Sequence, residues 1–243
     1  MDIFFKRKKI IVDCFTYSTT VYDYFPIVPA TNQFPNWWSD LKKSNDLIPN
    51  LNLKTCQGLI GLYQTAFTMR MWSDLAITVG PISDPKFNLR FADTESSAQP
   101  HGADQWGSWL SEKEWQHLKI ISPWVINSKS DTKFLMTDPM WGRNSLKDYT
   151  VLNGVLDFKY QVTSNINLMI PRPEAMYKEF LIPVGSPLAQ LVPLTEDKIE
   201  FKSHLISKEE FVQKNTRNLS FINNFKKNKK FTKESKCPVK KFL

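Results

Sequence analysis

VLNGVLDFKYQ (151–161), NINLMIPRP (165–173) and FLIPVGSPLAQLVPL (180–194) are three apolar runs punctuated by Gly, Pro and Asn. Runs of this length and spacing read as short strands joined by tight turns, the last ending in an apolar hairpin. Asp157 and Tyr160 fall in the first turn. Small β-barrels that hold a ligand between their turns are commonly built this way.

The same texture extends outward. Strands are expected near 124–127, 133–137, 150–161, 163–170, 178–183 and 188–193, with 199–201 adding one more. Upstream, Phe87, Leu89 and Phe91 alternate with polar residues, and so do Phe67, Met69 and Met71; a period of two marks half-buried strands. Leu59, Ile60, Leu62 and Tyr63 suit a short helix. Trp37, Trp38 and Leu41 suit a helical turn that Asn36 can cap. Ser18–Thr20 reads as a turn, and residues 92–109 as a polar loop. Two capping boxes stand out: Ser111-Glu112-Lys113-Glu114 before Trp115 and Leu118, and Ser207-Lys208-Glu209-Glu210 before Phe211, Val212 and Phe221. Each predicts a short helix, because the hydroxyl and the carboxylate three residues on satisfy free N–H groups reciprocally. Many strands with few helices predict a mainly β fold, a β-sandwich or a jelly-roll/β-clip-like barrel with a few short peripheral helices.

Apolar residues make up 42% of the 243-residue chain, enough for one core. We expect a single mainly-β domain over 1–223, with an N-terminal sub-region at 1–91, and a basic, flexible tail over 224–243. That tail holds eight lysines and one glutamate, so it carries nearly all of the net charge of +8. A near-neutral body excludes a nucleic-acid-binding domain by composition, while Lys226, Lys227, Lys229 and Lys230 are candidates to contact nucleic acid or another anionic surface. Three widely separated cysteines (14, 56, 237) without a CxxC argue against zinc and against a disulfide framework, and fit a reducing compartment. The apolar run after KRKK (6–9) is broken at Asp13, too short for a signal peptide, and no run is long enough for a transmembrane segment.

No complete catalytic motif is present. GxSxG, GxGxxG and GxxxxGK[ST] are all missing. The histidines, 101, 117 and 204, match neither HxH nor HxD spacing, yet His101 and His117 with a carboxylate form a conceivable metal set for a metal-dependent oxygenase. The carboxylate pairs Asp131 with Asp138, or Asp138 with Asp157, read first as turn residues. Several of the eight tryptophans fall in turns, where an indole can stack on a base or sugar; Trp72 and Trp141 are the ligand-binding candidates, with Arg70 and Arg143 placed for cation–π contacts.

GVLDFKY (154–160) resembles the GxIDxxY turn of trimeric dUTPases, and GSPLAQLVP (185–193) resembles their GxxxAQ segment. The resemblance covers about 40 residues. It implies a dUTPase-type β-barrel with Asp157 as the base that orients the attacking water and Tyr160 as the ring under the sugar. It further implies Gln190 at the ligand, Mg2+ carried with a nucleotide, and a homo-oligomer with sites between subunits; for the phosphates of such a ligand, Arg143 is the candidate the sequence offers. The PRSG phosphate loop and the glycine-rich closing motif of that family are missing. Over about residues 10–215, FPIVPA, FPNWW, MWSDLAI, HLKIISPW and IPVGSPLAQLVPL together resemble a protein family of marine tailed phages. That resemblance implies host cytoplasm or a virion, and a phage or host protein as partner. The expectation is a phage-encoded, non-enzymatic binding or interaction protein without a cofactor. The alternatives are a nucleotide-binding hydrolase of dUTPase-like fold acting on a pyrimidine nucleotide, and the oxygenase.

Overall fold

The computed structural model describes residues 8–41, 53–102, 105, 107, 111, 114–142, 147–161 and 163–216. In chain order these form β1 (Lys9–Thr16), α1 (Thr19–Tyr24), β2 (Val28–Pro29), α2 (Asn36–Asp40), α3 (Gln57–Thr65), β3 (Phe67–Arg70) and β4 (Leu75–Val79). Then come β5 (Phe87–Phe91), β6 (Ala98–His101), β7 (Trp115–Ile120), β8 (Val125–Ser128), β9 (Phe134–Thr137) and β10 (Thr150–Val151). The remainder is β11 (Gly154–Leu156), β12 (Ile166–Pro171), β13 (Lys178–Ile182), β14 (Pro187–Pro193), β15 (Lys198–Leu205) and α4 (Lys208–Thr216).

The fold is mainly β, as the alternating sequence requires. The strands make four sheets, ordered β15-β1-β8, β10-β12-β7-β6, β11-β9-β14-β3-β2 and β13-β4-β5, and none closes into a barrel among the described residues. β1 and β15 pair in parallel over eight residues, Lys9 with Lys198 through Thr16 with Leu205; the other pairings are antiparallel. β1 shows why its sequence makes a strand: Ile10, Val12, Cys14 and Thr16 are buried while the alternate residues are exposed or half-buried. Val12, Ile77, Leu118, Ile126, Phe134 and Leu168 are among the buried side chains of one large core shared by the four sheets. A smaller cluster of Ala30, Leu59, Tyr63 and Ala66 lies under α3, where Phe34 stacks on Tyr63 with ring centres 4.4 Å apart.

Two turns need glycine. Gly185 has φ +82 in the turn closed by Ser186 N–H on the Pro183 carbonyl at 3.2 Å, a conformation that disfavours any side chain. A Cβ at Gly80 would meet the Asp84 carbonyl oxygen at 2.1 Å.

Four local expectations are corrected. Ser111–Glu114 opens no helix: the Ser111 carbonyl accepts from Glu114 and Trp115 N–H in a turn, and the chain continues as strand β7. The supposed polar loop contains β6, an edge strand whose Pro100 hides its character. Ser18 ends no simple turn but caps α1, its Oγ accepting from Val21 N–H at 3.4 Å. Asn36 lies inside α2, with Pro35 at the cap position and no side-chain cap bond. The box at Ser207 forms in full: Glu210 N–H donates to Ser207 Oγ at 3.2 Å and Ser207 N–H to Glu210 Oε2 at 3.3 Å. Phe221 and the lysine-rich stretch lie outside the described residues. Cys14, buried, and Cys56, exposed, are free thiols. No described helix is long and apolar enough to cross a membrane.

Candidate ligand-binding site

A cleft of about 500 Å³ opens where connections from several sheets converge. That volume suits a small ligand or a protruding side chain. Tyr17 and Ser18 follow β1, Trp72–Asp74 link β3 to β4, residues 92–97 link β5 to β6, and Ile121–Pro123 link β7 to β8. Phe211 of α4 and Val184 of the β13–β14 turn complete the wall. Sites on loops held by rigid sheets are the usual outcome of this architecture.

The walls are aromatic. Tyr17 meets Phe211 edge-on with ring centres 5.0 Å apart, and Phe211 packs with Val125, which fixes α4 against β8. Trp72 is only 8% exposed, so its ring forms both core and cleft wall. Its indole N–H donates to Ser96 Oγ at 2.9 Å. Ser96 Oγ in turn donates to Asp93 Oδ2 at 2.7 Å. The other Asp93 oxygen, Oδ1, accepts from the N–H groups of Glu95 (2.8 Å) and Ser96 (2.6 Å). Burial pushes the Asp93 carboxyl up, but hydrogen bonds from Ser73, Ser96 and Glu95 together outweigh it and hold it below the usual carboxylate range. Asp93 is therefore ionised at neutral pH.

Asp74 is a second anchored carboxylate, with Oδ1 accepting from Val184 N–H at 2.7 Å. Glu95, exposed at the mouth, is the third acid of the lining. Their field is felt by the aromatic wall: burial raises the Tyr17 hydroxyl above its ordinary pKa, and the charges of Glu95 and Asp93 raise it further. No lysine, arginine or histidine stands among the described lining residues. An aromatic cleft lined by acidic side chains favours a cation over a phosphate.

The residues singled out in the sequence are dispersed. Trp72 lines the cleft. Trp141 does not: it is 43% exposed, lies 6.3 Å from the Trp37 ring, and accepts the Trp37 indole N–H on its carbonyl at 3.0 Å. Asp157 is 4% exposed and holds its own turn, Oδ1 accepting from Lys159 N–H at 3.3 Å and its carbonyl from Tyr160 N–H at 3.0 Å. Tyr160 is buried beside it, its hydroxyl 3.5 Å from Asp131 Oδ1, with Lys159 ion-paired to the same Asp131. Gln190 is buried in β14, in register between Thr68 and Thr137. Arg70 lies over the Phe25 ring at 5.6 Å. His101 and His117 do meet, as a cross-strand pair in β6 and β7. No group of three or more His, Cys, Asp or Glu able to hold a metal occurs among the described residues. Arg143, Lys226, Lys227, Lys229 and Lys230 lie outside the described residues. The sequence reading missed Tyr17, Phe211 and the acids; the run Ala92-Asp93-Thr94-Glu95-Ser96-Ser97 was the available signal, since Asp followed by Ser and Glu readily forms such side-chain-capped turns.

No family model matches the chain, and no curated protein matches it. Among solved structures, it is similar to a dUTPase from phage phi11 of S. aureus at 15% identity, covering 68% of this chain and 94% of that one, with a TM-score of 0.30. It is also similar to the Staphylococcus bacteriophage 80alpha dUTPase bound to dUpNHpp, at 14% identity, 75% and 93% coverage and a TM-score of 0.29.

Proposed function

We propose that this protein is a non-enzymatic binding protein whose cleft takes a cationic group carried on an apolar body, in the phage setting that the sequence resemblance implies. One observation carries the reading: Asp74, Asp93 and Glu95 rim a cleft of about 500 Å³ walled by Tyr17, Trp72 and Phe211, with no basic residue in its described lining. A quaternary ammonium, an alkylamine or a guanidinium fits that chemistry, through cation–π contact with the rings and Coulomb attraction to the rim. Desolvation inside the aromatic walls strengthens both.

The alternative, a pyrimidine-nucleotide hydrolase working with Mg2+ at Asp157 and Tyr160, draws less support. A triphosphate needs converging N–H groups or arginines, whereas Asp157 and Tyr160 are buried in a turn closed on itself.

Thermal denaturation with choline, spermidine or arginine amide, set against dUTP with Mg2+, tests the reading. A cation at a hundredfold excess over its Kd should add about 2.7 kcal/mol of apparent stability. Glu95→Gln should weaken that gain and Trp72→Ala should remove it. Stabilisation by dUTP with Mg2+ and by no cation would overturn the proposal in favour of the nucleotide enzyme.

A further inference from the structure

His101 and His117 lie outside the cleft, directly opposite one another in the β6–β7 register. Their ring centres are 4.9 Å apart and their planes are tilted by 36°. Both ring nitrogens of His101 are buried and have no hydrogen-bond partner. A neutral imidazole carries one N–H and one lone pair, and an imidazolium two N–H groups, so leaving both nitrogens unpartnered is costly unless something else occupies the site. His117 is differently placed: its Nε2 lies 3.1 Å from Asn167 Oδ1. An amide oxygen only accepts, so His117 carries its proton on Nε2 and its lone pair on Nδ1.

We propose that His101 and His117 form a bis-histidine site for a divalent transition-metal ion of the Zn2+, Ni2+ or Cu2+ class, with Asn167 orienting His117 from behind. The distance fits. A metal held by imidazole sits about 2.0–2.1 Å from the nitrogen and so about 3.2 Å from the ring centre. An angle of about 90–110° at the ion, the range from square-planar to tetrahedral, then separates the two ring centres by about 4.5–5.2 Å. The tilt is one that rotation of the rings about their metal–nitrogen axes permits. Metal-bound histidines characteristically donate their other N–H to an oxygen, which fixes the tautomer and the ring plane; Asn167 does this for His117. Among the described residues these two side chains supply the protein ligands, and water would take the remaining positions of the ion.

Titration of the full chain with Ni2+, Zn2+ and Cu2+ by calorimetry tests the site, with Mg2+ as the control. One equivalent of transition metal should bind and raise the melting temperature, while Mg2+ should do neither. His101→Gln should abolish binding without lowering the metal-free melting temperature. Asn167→Leu should weaken binding by about tenfold or more. His204→Asn and Cys56→Ser should leave it unchanged. On the wild-type protein, Zn2+ should shift the ring resonances of His101 and His117 and leave those of His204 in place. Binding that survives His101→Gln, or shifts confined to other residues, would overturn the proposal.

Discussion

Residues 111–120 and 207–216 begin alike and end differently. Each starts with a serine followed three residues later by a glutamate. At Ser207 the box closes and α4 follows; at Ser111 the same letters make a turn into β7. The difference lies downstream. Phe211 is followed by Val-Gln-Lys-Asn-Thr, a mostly polar run that anchors the helix by one buried aromatic. Trp115–Ile120 instead lies between β6 and β12 and buries Leu118 and Ile120 completely. A capping box contributes about 1 kcal/mol, while two buried aliphatic side chains contribute several. Tertiary burial decides, and the cap decides only where burial is slight.

The sharpest way to break this contrast is Leu118→Ala. Leu118 is 0% exposed in a central strand, so truncation should cost about 2–5 kcal/mol, read as a lower urea midpoint. Less than about 1 kcal/mol would mean that β7 is not held by its core face. Phe211→Ala should cost less, about 2 kcal/mol, because α4 is peripheral; it should also widen the cleft and weaken cation binding. Next come the serines. Ser207→Ala should cost about 1 kcal/mol and fray α4, whereas Ser111→Ala should stay within about 0.5 kcal/mol, since the Ser111 carbonyl takes the turn bonds. Equal losses from the two would erase the distinction.

Mild acid gives the subtlest effect, confined to β7. The folded protein holds His117 below its ordinary value of 6.5 through burial and the charges of His101 and Lys119, which together outweigh the Asn167 bond. The unfolded chain therefore takes up the proton first as pH falls. Stability should be highest above about 6.5 and decline as pH drops toward the folded value. His117→Gln should flatten the urea midpoint between pH 7.5 and 5.5, and an unchanged slope would show that His117 does not govern it.

Much of the fold was legible because alternation and burial agree. β5 reads correctly from Phe87, Leu89 and Phe91, each half-buried as a period of two demands. β6 was hidden because an edge strand tolerates Pro100 and needs few apolar residues. α1 was hidden because Thr19-Thr-Val-Tyr-Asp-Tyr24 is poor in helix formers, so Ser18 and packing supply what propensity lacks. The candidate site was less legible than the fold. Trp72 announced itself as an indole at a turn, but Tyr17, Phe211 and Asp93 are far apart in sequence and meet only once several sheets are assembled. The His101–His117 pairing likewise depends on the register of β6, which local pattern did not reveal.

The parallel ladder between β1 and β15 joins residues 9–16 to residues 198–205. During synthesis, β1 leaves the ribosome long before its partner exists. Until residue 205 emerges, one edge of β1 has only solvent or a chaperone beside it. Such remote pairing slows folding, and a nascent chain stalled before residue 205 presents an open edge that invites aggregation.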